Sequence, residues 1–205
     1  MFISFEGLDG CGKSTQALLL KQRLETNGKR VLLLREPGGT KISEKIREIL
    51  LDKIHSEMNP IAEIFLFSSA RAQLVSEIIK PALQENDIVI CDRYVDSTTA
   101  YQGFGRGISL ESVRAINTIA TQELLPDVTF FLDIPVHEAI HRRKKSRNEN
   151  DRMEEAKISF FHNIYNGFLS IMNNEPQRFL RIDGMKSIND IHNEVWNIFT
   201  LHFKQ

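Results

Sequence analysis

Short runs of apolar residues alternate along this chain with longer segments in which apolar residues recur every three or four positions. The runs lack the every-second-residue alternation of a strand with one wet face, so they are typical of strands buried on both faces of a parallel sheet. Five such runs occur, at residues 2–6, 30–36, 87–92, 127–133 and 178–183. The pattern predicts an α/β chain with a doubly wound parallel sheet and right-handed crossovers.

The segments between these runs predict helices. The first, over 14–26, ends at Asn27-Gly28, where glycine readily adopts the left-handed conformation that stops a helix. A second helix is predicted over 61–80, bracketed by Pro60 and Pro81. Further helices are predicted over 109–124, 152–173 and 187–203. Because no repeat or linker interrupts this order, we expect a single domain over residues 1–205.

Composition narrows the classes of protein further. Lys and Arg number 26 against 27 Asp and Glu, which leaves a formal net charge of -1 and argues against nonspecific binding to nucleic acid or a membrane surface. The apolar runs are far shorter than the about 20 residues of a membrane helix. Two cysteines are too few for a disulfide framework, and the first residues do not resemble a signal peptide. We therefore expect a cytoplasmic protein.

The sharpest local feature is a phosphate-binding loop (P-loop) between the first predicted strand and the first predicted helix. Residues 7–14 satisfy G-x-x-x-x-G-K-[ST], whose backbone N–H groups form an anion nest at a helix N-terminus. Lys13 would reach the terminal phosphates of a nucleotide, and the Ser14 hydroxyl would ligate Mg²⁺. The predicted ATP-binding residues are Gly7, Leu8, Asp9, Gly10, Cys11, Gly12, Lys13, Ser14 and Thr15.

A second signal is the predicted strand that ends in Asp92. Doubly wound sheets bind ligands at the carboxyl ends of their strands, so Asp92 is a candidate for the magnesium side of the site. By position alone this signal is weak, because an aspartate that ends a strand is as often a helix cap or a turn residue, and Asp133 after the next predicted strand is of that kind. The Arg93-Tyr94 pair that follows Asp92 favours Asp92.

Several separated segments resemble thymidylate kinases, the P-loop enzymes that phosphorylate dTMP with ATP. The segments are FEGLDGCGKSTQ at 5–16, REPGGT at 35–40, FSSAR at 67–71, DRYVDSTTAYQG at 92–103 and DRME at 151–154. The resemblance implies a P-loop NTP hydrolase-like three-layer fold, with five parallel strands, helices on both faces and a short lid. It also implies magnesium-dependent phosphoryl transfer to dTMP in dTTP synthesis, with ATP and dTMP as substrates, and a homodimer.

The resemblance also assigns an acceptor site. Arg93 would grip the dTMP phosphate with help from Arg35, because a dianionic acceptor needs fixed guanidinium groups near the γ-phosphoryl. Phe67 would stack on thymine, and Arg71, four residues later on the same helix face, would lie beside the base edge. The remaining residues of the predicted dTMP site are Asp9, Ser97, Thr98, Tyr101 and Gln102.

Asp9 is the least generic residue of the loop, because a carboxylate beside bound phosphates costs electrostatic energy. In the resembling family an acid at this position hydrogen-bonds the 3′-OH of the acceptor. Tyr101 would lie near the sugar, where it would crowd a ribose 2′-OH. An acid that merely faces solvent remains the alternative for Asp9.

The basic segment HRRKKSRNENDR, over 141–152, is predicted to be a mobile insertion that acts as the lid. Some thymidylate kinases carry an arginine in the loop after the acid, whereas this chain has Gly10 there, which resembles the bacterial type. Arg143, Lys145 and Arg147 are therefore the candidate cations for the transferring γ-phosphoryl group. The alternative is a solvated run of charge.

Two other functions remain open from the residues. A deoxynucleoside kinase can also carry a P-loop and an Asp-Arg pair, but it would need a carboxylate base near the 5′-OH, and the arginines at 35, 71 and 93 argue against it. A nucleotide-dependent regulatory switch is the other alternative. The sequence contains no N-K-x-D guanine signature that would support it.

Overall fold

The structure is a computed structural model that describes residues 1–85, 87–145 and 157–202. Its strands are β1 (Phe2–Glu6), β2 (Val31–Arg35), β3 (Ile88–Asp92), β4 (Val128–Asp133) and β5 (Phe179–Asp183). Each strand lies within one of the five predicted runs. The apolar pattern therefore located the strands correctly, and only the flanking polar residues fall outside them.

Helices connect the strands. They are α1 (Lys13–Thr26), α2 (Lys41–Leu51), α3 (Pro60–Leu74), α4 (Lys80–Gln84), α5 (Val95–Thr98), α6 (Leu110–Thr121), α7 (Val136–Lys145), α8 (Ile158–Asn174) and α9 (Ile188–His202). Two π-helical turns, Val75–Ile79 and Thr99–Gly105, and a 3₁₀ turn, Lys53–His55, lie between them. None of the helices in the described ranges is long and apolar enough to cross a bilayer.

The five strands form one parallel sheet in the order β2-β3-β1-β4-β5. Strand β1 is central, with β2 and β3 on one side and β4 and β5 on the other. Phe5 of β1 is in register with Asp92 of β3, so the loops that follow these two strands leave the sheet side by side. This brings the P-loop next to Asp92 and Arg93, at the edge where such sheets bind ligands.

Apolar side chains cover both faces of the sheet. In β1, Ile3 and Phe5 point into a core shared with α1, α8 and α9, whereas Phe2 packs in a second core with Leu74 and Val75. Successive residues of a strand face opposite sides, so both sets must be apolar when helices cover both sides. The predicted three-layer α/β arrangement is confirmed.

The predicted end of the helix over 61–80 was wrong. The Lys80 N–H donates to the Val75 carbonyl, five residues back, which widens the helix into a π-helical turn. Pro81 then lies in the first turn of α4, where its missing N–H does no harm, and the helical path continues to Gln84. The proline therefore changes the type of helix at this point and does not end the path.

Candidate active site

A cavity of about 560 Å³ opens where the P-loop, the end of β3 and helices α3 and α5 meet. All nine residues of the predicted dTMP site line it: Asp9, Arg35, Phe67, Arg71, Arg93, Ser97, Thr98, Tyr101 and Gln102. Lys13, Ser14 and Asp92 line the same cavity. The fold thus brings the predicted dTMP-binding residues and the predicted phosphate- and metal-binding residues, which are far apart in sequence, into one cavity.

The P-loop presents only part of its length to this cavity. Of the nine predicted ATP-binding residues, Asp9, Gly10, Gly12, Lys13, Ser14 and Thr15 line it, whereas Gly7, Leu8 and Cys11 do not. Leu8 and Cys11 are buried, and a Cβ at Gly7 would lie only 2.7 Å from the Leu132 carbonyl oxygen. Gly7, Leu8 and Cys11 therefore pack against the body of the protein. The other six residues of the loop face the cavity.

Lys13 supplies the positive charge of the loop. Its Nζ donates to the carbonyl oxygens of Gly7 at 3.2 Å and Leu8 at 2.9 Å. The side chain is buried, and it extends from the first turn of α1, whose N-terminus adds positive potential. An anion seated in the loop would therefore lie close to both the ammonium group and the helix N-terminus.

Ser14 and Asp92 meet in the cavity, where the Ser14 hydroxyl donates a hydrogen bond to the Asp92 carboxylate. Hard oxygen donors of this kind suit Mg²⁺ that is shared with phosphate oxygens, so the two residues fit the predicted metal. Asp133, the aspartate that ends β4, instead pairs with Arg181, whose Nε lies 2.7 Å from its Oδ2. It does not line the cavity. The contacts therefore favour Asp92 over Asp133.

Arg93 lies at the centre of the site with a left-handed backbone, φ 71°. Its Nη2 donates to Asp9 Oδ1 at 2.6 Å and to the Tyr101 hydroxyl at 3.2 Å, and that hydroxyl donates to Asp9 Oδ2 at 3.1 Å. Burial by itself would raise the pKa of Asp9, but Arg93 and Lys13 outweigh it and hold that pKa below its usual range. Asp9 is thus an ionised, paired acid and does not simply face solvent.

Glu6, to which the sequence assigned no role, lies behind Arg93 and is fully buried at the end of β1. Its carboxylate accepts from the backbone N–H of Tyr94 at 2.7 Å and from the Ser97 hydroxyl at 2.6 Å. Burial, with Asp96 next in importance, raises the pKa of Glu6 to about 7. An acid that ends an apolar strand directly before a P-loop is the signal that could have identified it.

Arg71 is held in place by buried partners. Its Nε donates to Glu36 Oε2 at 2.7 Å, its Nη1 to the Thr98 hydroxyl at 2.9 Å, and its Nη2 to the Tyr94 carbonyl at 3.1 Å. Burial raises the pKa of Glu36 even with Arg71 beside it. The sequence alone did not identify Glu36 as the partner that fixes this guanidinium.

Phe67 and the arginines near β2 complete the wall. Phe67 lies one helical turn before Arg71 on α3, as the four-residue spacing predicted, and both side chains line the cavity. Arg35 and Arg47 each donate to the Pro37 carbonyl at 2.9 Å. Arg47, on α2, also lines the cavity and is a further cation that the sequence analysis missed.

The predicted lid, residues 141–152, is described only in its first part. Residues 141–145 form the last turn of α7, so the prediction of an insertion was wrong for them, and the rest, including Arg147, lies outside the described residues. Arg143 lines the cavity, with its guanidinium 4.8 Å from the centre of the Phe161 ring. Lys145 is exposed and does not line the cavity.

Helix α7 packs directly on the P-loop at Gly10. A Cβ at that position would lie 3.0 Å from the Ala139 carbonyl oxygen and 3.3 Å from the Arg143 backbone nitrogen. An arginine at this point would need α7 to shift slightly and a strained left-handed backbone, φ 86°, so glycine is favoured there. The same close approach brings the basic end of α7 beside the phosphate-binding residues.

Cys11 is not an activated thiol. Although it lies near a helix N-terminus, burial raises the pKa of its side chain, and the nearby Lys13 and Arg93 offset this only in part. A protonated, buried thiol is a weak nucleophile. Cys11 is therefore best explained as a small packing residue of the loop.

Comparison with known proteins gives one consistent result. A family model described as Thymidylate kinase matches residues 5–195. A thymidylate kinase from Thermoanaerobacter sp. (strain X514) is 46% identical over 197 residues, covering 96% of each chain. One from Chlorobium chlorochromatii is 48% identical over 206 residues, covering 95% of this chain and 92% of the relative.

Solved structures agree with these relatives. The crystal structure of thymidylate kinase from Ehrlichia chaffeensis matches with a TM-score of 0.77 and 32% identity, covering 97% of this chain and 98% of that chain. The family match extends across nearly the whole chain and favours neither a deoxynucleoside kinase nor a regulatory switch. The protein belongs to the thymidylate kinase family.

Proposed function

We propose that this protein transfers the γ-phosphoryl group of ATP to dTMP, giving dTDP and ADP for dTTP synthesis, with Mg²⁺. The observation that carries the proposal is one cavity of about 560 Å³ lined both by the P-loop and by all the residues matched to a dTMP site. A direct transfer requires this arrangement, because both phosphate groups must meet in line. Family membership supports the same reaction.

The acceptor phosphate is proposed to bind Arg93, with Arg35 beside it. Guanidinium groups suit a phosphate dianion because they donate in a planar fork and stay charged. Phe67 would stack on the thymine ring and Arg71 would donate to its edge. These roles need cations that are already in position, and Arg71 and Arg93 are fixed by protein contacts on several sides.

The sugar is proposed to lie between the P-loop and the Thr99–Gly105 turn. Asp9 remains ionised and can accept a hydrogen bond from the 3′-OH. Tyr101 donates to Asp9 at 3.1 Å, and this contact would hold its ring where it crowds a ribose 2′-OH. This pair would tie the position of the acceptor to the same loop that holds ATP.

On the donor side, the loop amides and Lys13 are proposed to hold the ATP phosphates. Ser14 and Asp92 would hold Mg²⁺, partly through water, and the bound ion would neutralise charge that develops on the phosphate oxygens. Arg143, Lys145 and Arg147 are the proposed cations for the transferring group. Exclusion of water by this basic end would suppress hydrolysis of ATP.

The reaction does not need a strong general base. A phosphate dianion is already nucleophilic near neutral pH, and its oxygen attacks the γ-phosphorus while the ADP oxygen leaves. Asp9 has a pKa below its usual range, which suits it to accept a hydrogen bond and makes it a poor base. Catalysis would therefore consist of alignment and charge stabilisation.

A substrate panel tests this function. ADP release is measured with ATP, Mg²⁺ and either dTMP, dUMP, dCMP, dGMP or AMP, with thymidine as a control for a nucleoside kinase. We expect the highest kcat/KM with dTMP. Turnover of dCMP, dGMP or AMP at a comparable or higher rate would overturn the assignment, and faster turnover of thymidine than of dTMP would favour the deoxynucleoside kinase.

We also propose a homodimer in the cytoplasm. Large apolar side chains are exposed on three neighbouring helices, α2, α3 and α6, and a second copy of the chain is the occupant that family membership favours. They are Ile42, Ile49, Ile61, Phe65 and Ile119. Sedimentation analysis should give the dimer mass for the wild type and the monomer mass for Phe65→Glu. A monomeric wild type would contradict the proposal.

A further inference from the structure

Glu63 lies behind the cavity wall and contacts Gln102, a residue of the proposed dTMP site. Its side chain is fully buried, and its Oε1 accepts a hydrogen bond from Gln102 Nε2 at 2.9 Å. Arg106 holds both carboxylate oxygens, with Nε 3.1 Å from Oε1 and Nη2 3.0 Å from Oε2. Glu63 is therefore a buried carboxylate shared between a guanidinium group and an amide.

Two elements keep this carboxylate in place. Glu63 lies in the first turn of α3, where the helix N-terminus stabilises a negative charge. The guanidinium of Arg106 packs 4.6 Å from the centre of the Phe160 ring on α8, which fixes its position. An unpaired buried charge would be strongly destabilising, so the ion pair is expected to persist in the folded protein.

The contact determines how the Gln102 amide is turned. A carboxylate paired with arginine only accepts hydrogen bonds, so the amide must direct its NH₂ group towards Glu63. Its carbonyl oxygen then lies on the other side. Gln102 lines the cavity together with Phe67 and Arg71, and within the described residues no group donates to this oxygen. The cavity wall thus offers a hydrogen-bond acceptor at Gln102.

We propose that Glu63 is a positioning residue that sets base specificity, by fixing the Gln102 amide as an acceptor for a base with a ring N–H. Thymine and uracil carry such an N–H at N3, whereas cytosine has a lone pair there. An acceptor that faces a lone pair loses a hydrogen bond and adds repulsion, and a site built this way rejects the wrong partner strongly. If the amide turned round, the preference would reverse.

The inference rests on the proposed function, and Glu63→Gln tests it. The substituted amide can donate as well as accept, so Gln102 becomes free to turn. The values of kcat/KM are measured for dTMP, dUMP and dCMP. We expect the dTMP-to-dCMP ratio to fall by at least about tenfold. The dTMP-to-dUMP ratio should stay within about twofold of the wild type, because both bases carry the N3 N–H.

Asp96→Asn is the matched control. It also neutralises a buried acid paired with an arginine, Arg178, but Asp96 does not line this cavity. It should lower Tm and leave the dTMP-to-dCMP ratio unchanged. If Glu63→Gln does not fold, Arg106→Met replaces it, because a buried Glu63 without its partner takes up a proton and can then donate to Gln102.

The outcomes separate the two proposals. A wild-type enzyme without preference for dTMP over dCMP would contradict the proposed function itself. A wild-type enzyme with that preference, together with an unchanged ratio in the folded Glu63→Gln or Arg106→Met variant, would overturn only the role of Glu63. A fall of the ratio in Asp96→Asn as large as in Glu63→Gln would also overturn it, because the effect would then follow from lost stability.

Discussion

The two buried arginines of the acceptor site and the basic end of α7 hold their positive charges in different ways. On the acceptor side, Arg71 and Arg93 have side chains only 2% and 16% exposed, and each donates to several protein oxygens. At the end of α7, Lys145 is exposed, and Arg143 packs over an aromatic ring. These two acceptor arginines are thus fixed by protein contacts before a ligand arrives, whereas Lys145 at the end of α7 is exposed to solvent.

This difference follows from what each side must discriminate. Protein partners already offset the cost of desolvating a buried guanidinium group, and they also fix its position. It therefore binds only a phosphate or a base edge that matches that position. A cation at an exposed helix end instead loses side-chain entropy when it engages a phosphate. Substitutions on the acceptor side should therefore affect specificity, and those at the end of α7 should affect mainly the rate.

The largest expected effects are at Arg93 and Lys13. Arg93→Ala removes a desolvated, charge-assisted contact. The transition state with dTMP should lose about 3 kcal/mol or more of stabilisation, which lowers kcat/KM for dTMP at least about a hundredfold. Lys13→Ala should have an effect of about the same size, but on turnover and on the KM for ATP. Steady-state kinetics with each substrate varied in turn separates the two.

Arg30→Ala is the control for these two variants, because Arg30 is 70% exposed and pairs with Glu85 away from the cavity. Its kinetics should match those of the wild type. Wild-type kinetics for Arg93→Ala or Lys13→Ala would remove that residue from the site.

The next effect concerns the buried acid behind Arg93. The folded protein raises the pKa of Glu6 from 4.5 to about 7, so it binds this proton more tightly than the unfolded chain. The contribution to stability is complete below pH 4.5 and is lost as pH rises to about 7, which corresponds to about 3 kcal/mol. Urea denaturation at several pH values in this range measures the free energy of unfolding. Between pH 4.5 and about 7 it should fall by about 3 kcal/mol more in the wild type than in Glu6→Gln.

Glu44→Gln is the control for the pH experiment. A hydrogen bond from the Gly39 backbone, with Arg35 beside it, lowers the pKa of the exposed Glu44 carboxyl. Its contribution therefore has the opposite sign and is lost as pH falls. Parallel pH profiles for the wild type and Glu6→Gln would show that Glu6 titrates like an ordinary carboxyl.

Phe67→Ala should have a smaller effect, confined to the acceptor. Stacking of a base on an aromatic ring contributes about 1–3 kcal/mol, so the KM for dTMP should rise at least about fivefold. The KM for ATP should stay near the wild-type value. A larger change in the ATP constant than in the dTMP constant would contradict a stacking role and would break the division between the two sides.

The smallest effect is expected for Lys145→Ala. An exposed cation contributes about 1 kcal/mol or less, so kcat should fall less than about fivefold, with the KM for dTMP unchanged. Arg143→Ala, which removes a residue that lines the cavity, should lower kcat more than Lys145→Ala does. The reverse order would show that Lys145, and not Arg143, is the α7 cation that acts on the phosphates.

The sequence predicted those parts of the molecule whose signals are local. The five strands were recognisable because burial on both faces requires continuous apolar runs, and the P-loop because its spacing itself creates the anion nest. The helix end at Pro81 was misplaced, since a π-helical turn before a proline leaves no mark in apolar periodicity. No helix was predicted over α7, and its last residues, 141–145, were assigned to an insertion because their charge hid the helix.

The buried acids could not be predicted in the same way. Glu6, Glu36 and Glu63 look like ordinary charged residues in sequence. Each is held by a hydroxyl, an arginine or an amide at least 35 positions away. Their partners meet only because parallel strands bring separate loops to one edge of the sheet. Arg71 and Gln102 were assigned through resemblance, whereas the acids that orient them became visible only in the fold.

A crystal structure of the protein with dTMP, Mg²⁺ and a nonhydrolysable ATP analogue tests the central contrast most directly. We expect the dTMP phosphate on Arg93 and the thymine ring on Phe67, with the contacts of Arg93 to Ser97 and of Arg71 to Glu36 kept. At the basic end of α7, side chains should move to reach the γ-phosphoryl position. Release of Arg71 and Arg93 from these partners, with an unchanged end of α7, would contradict the account.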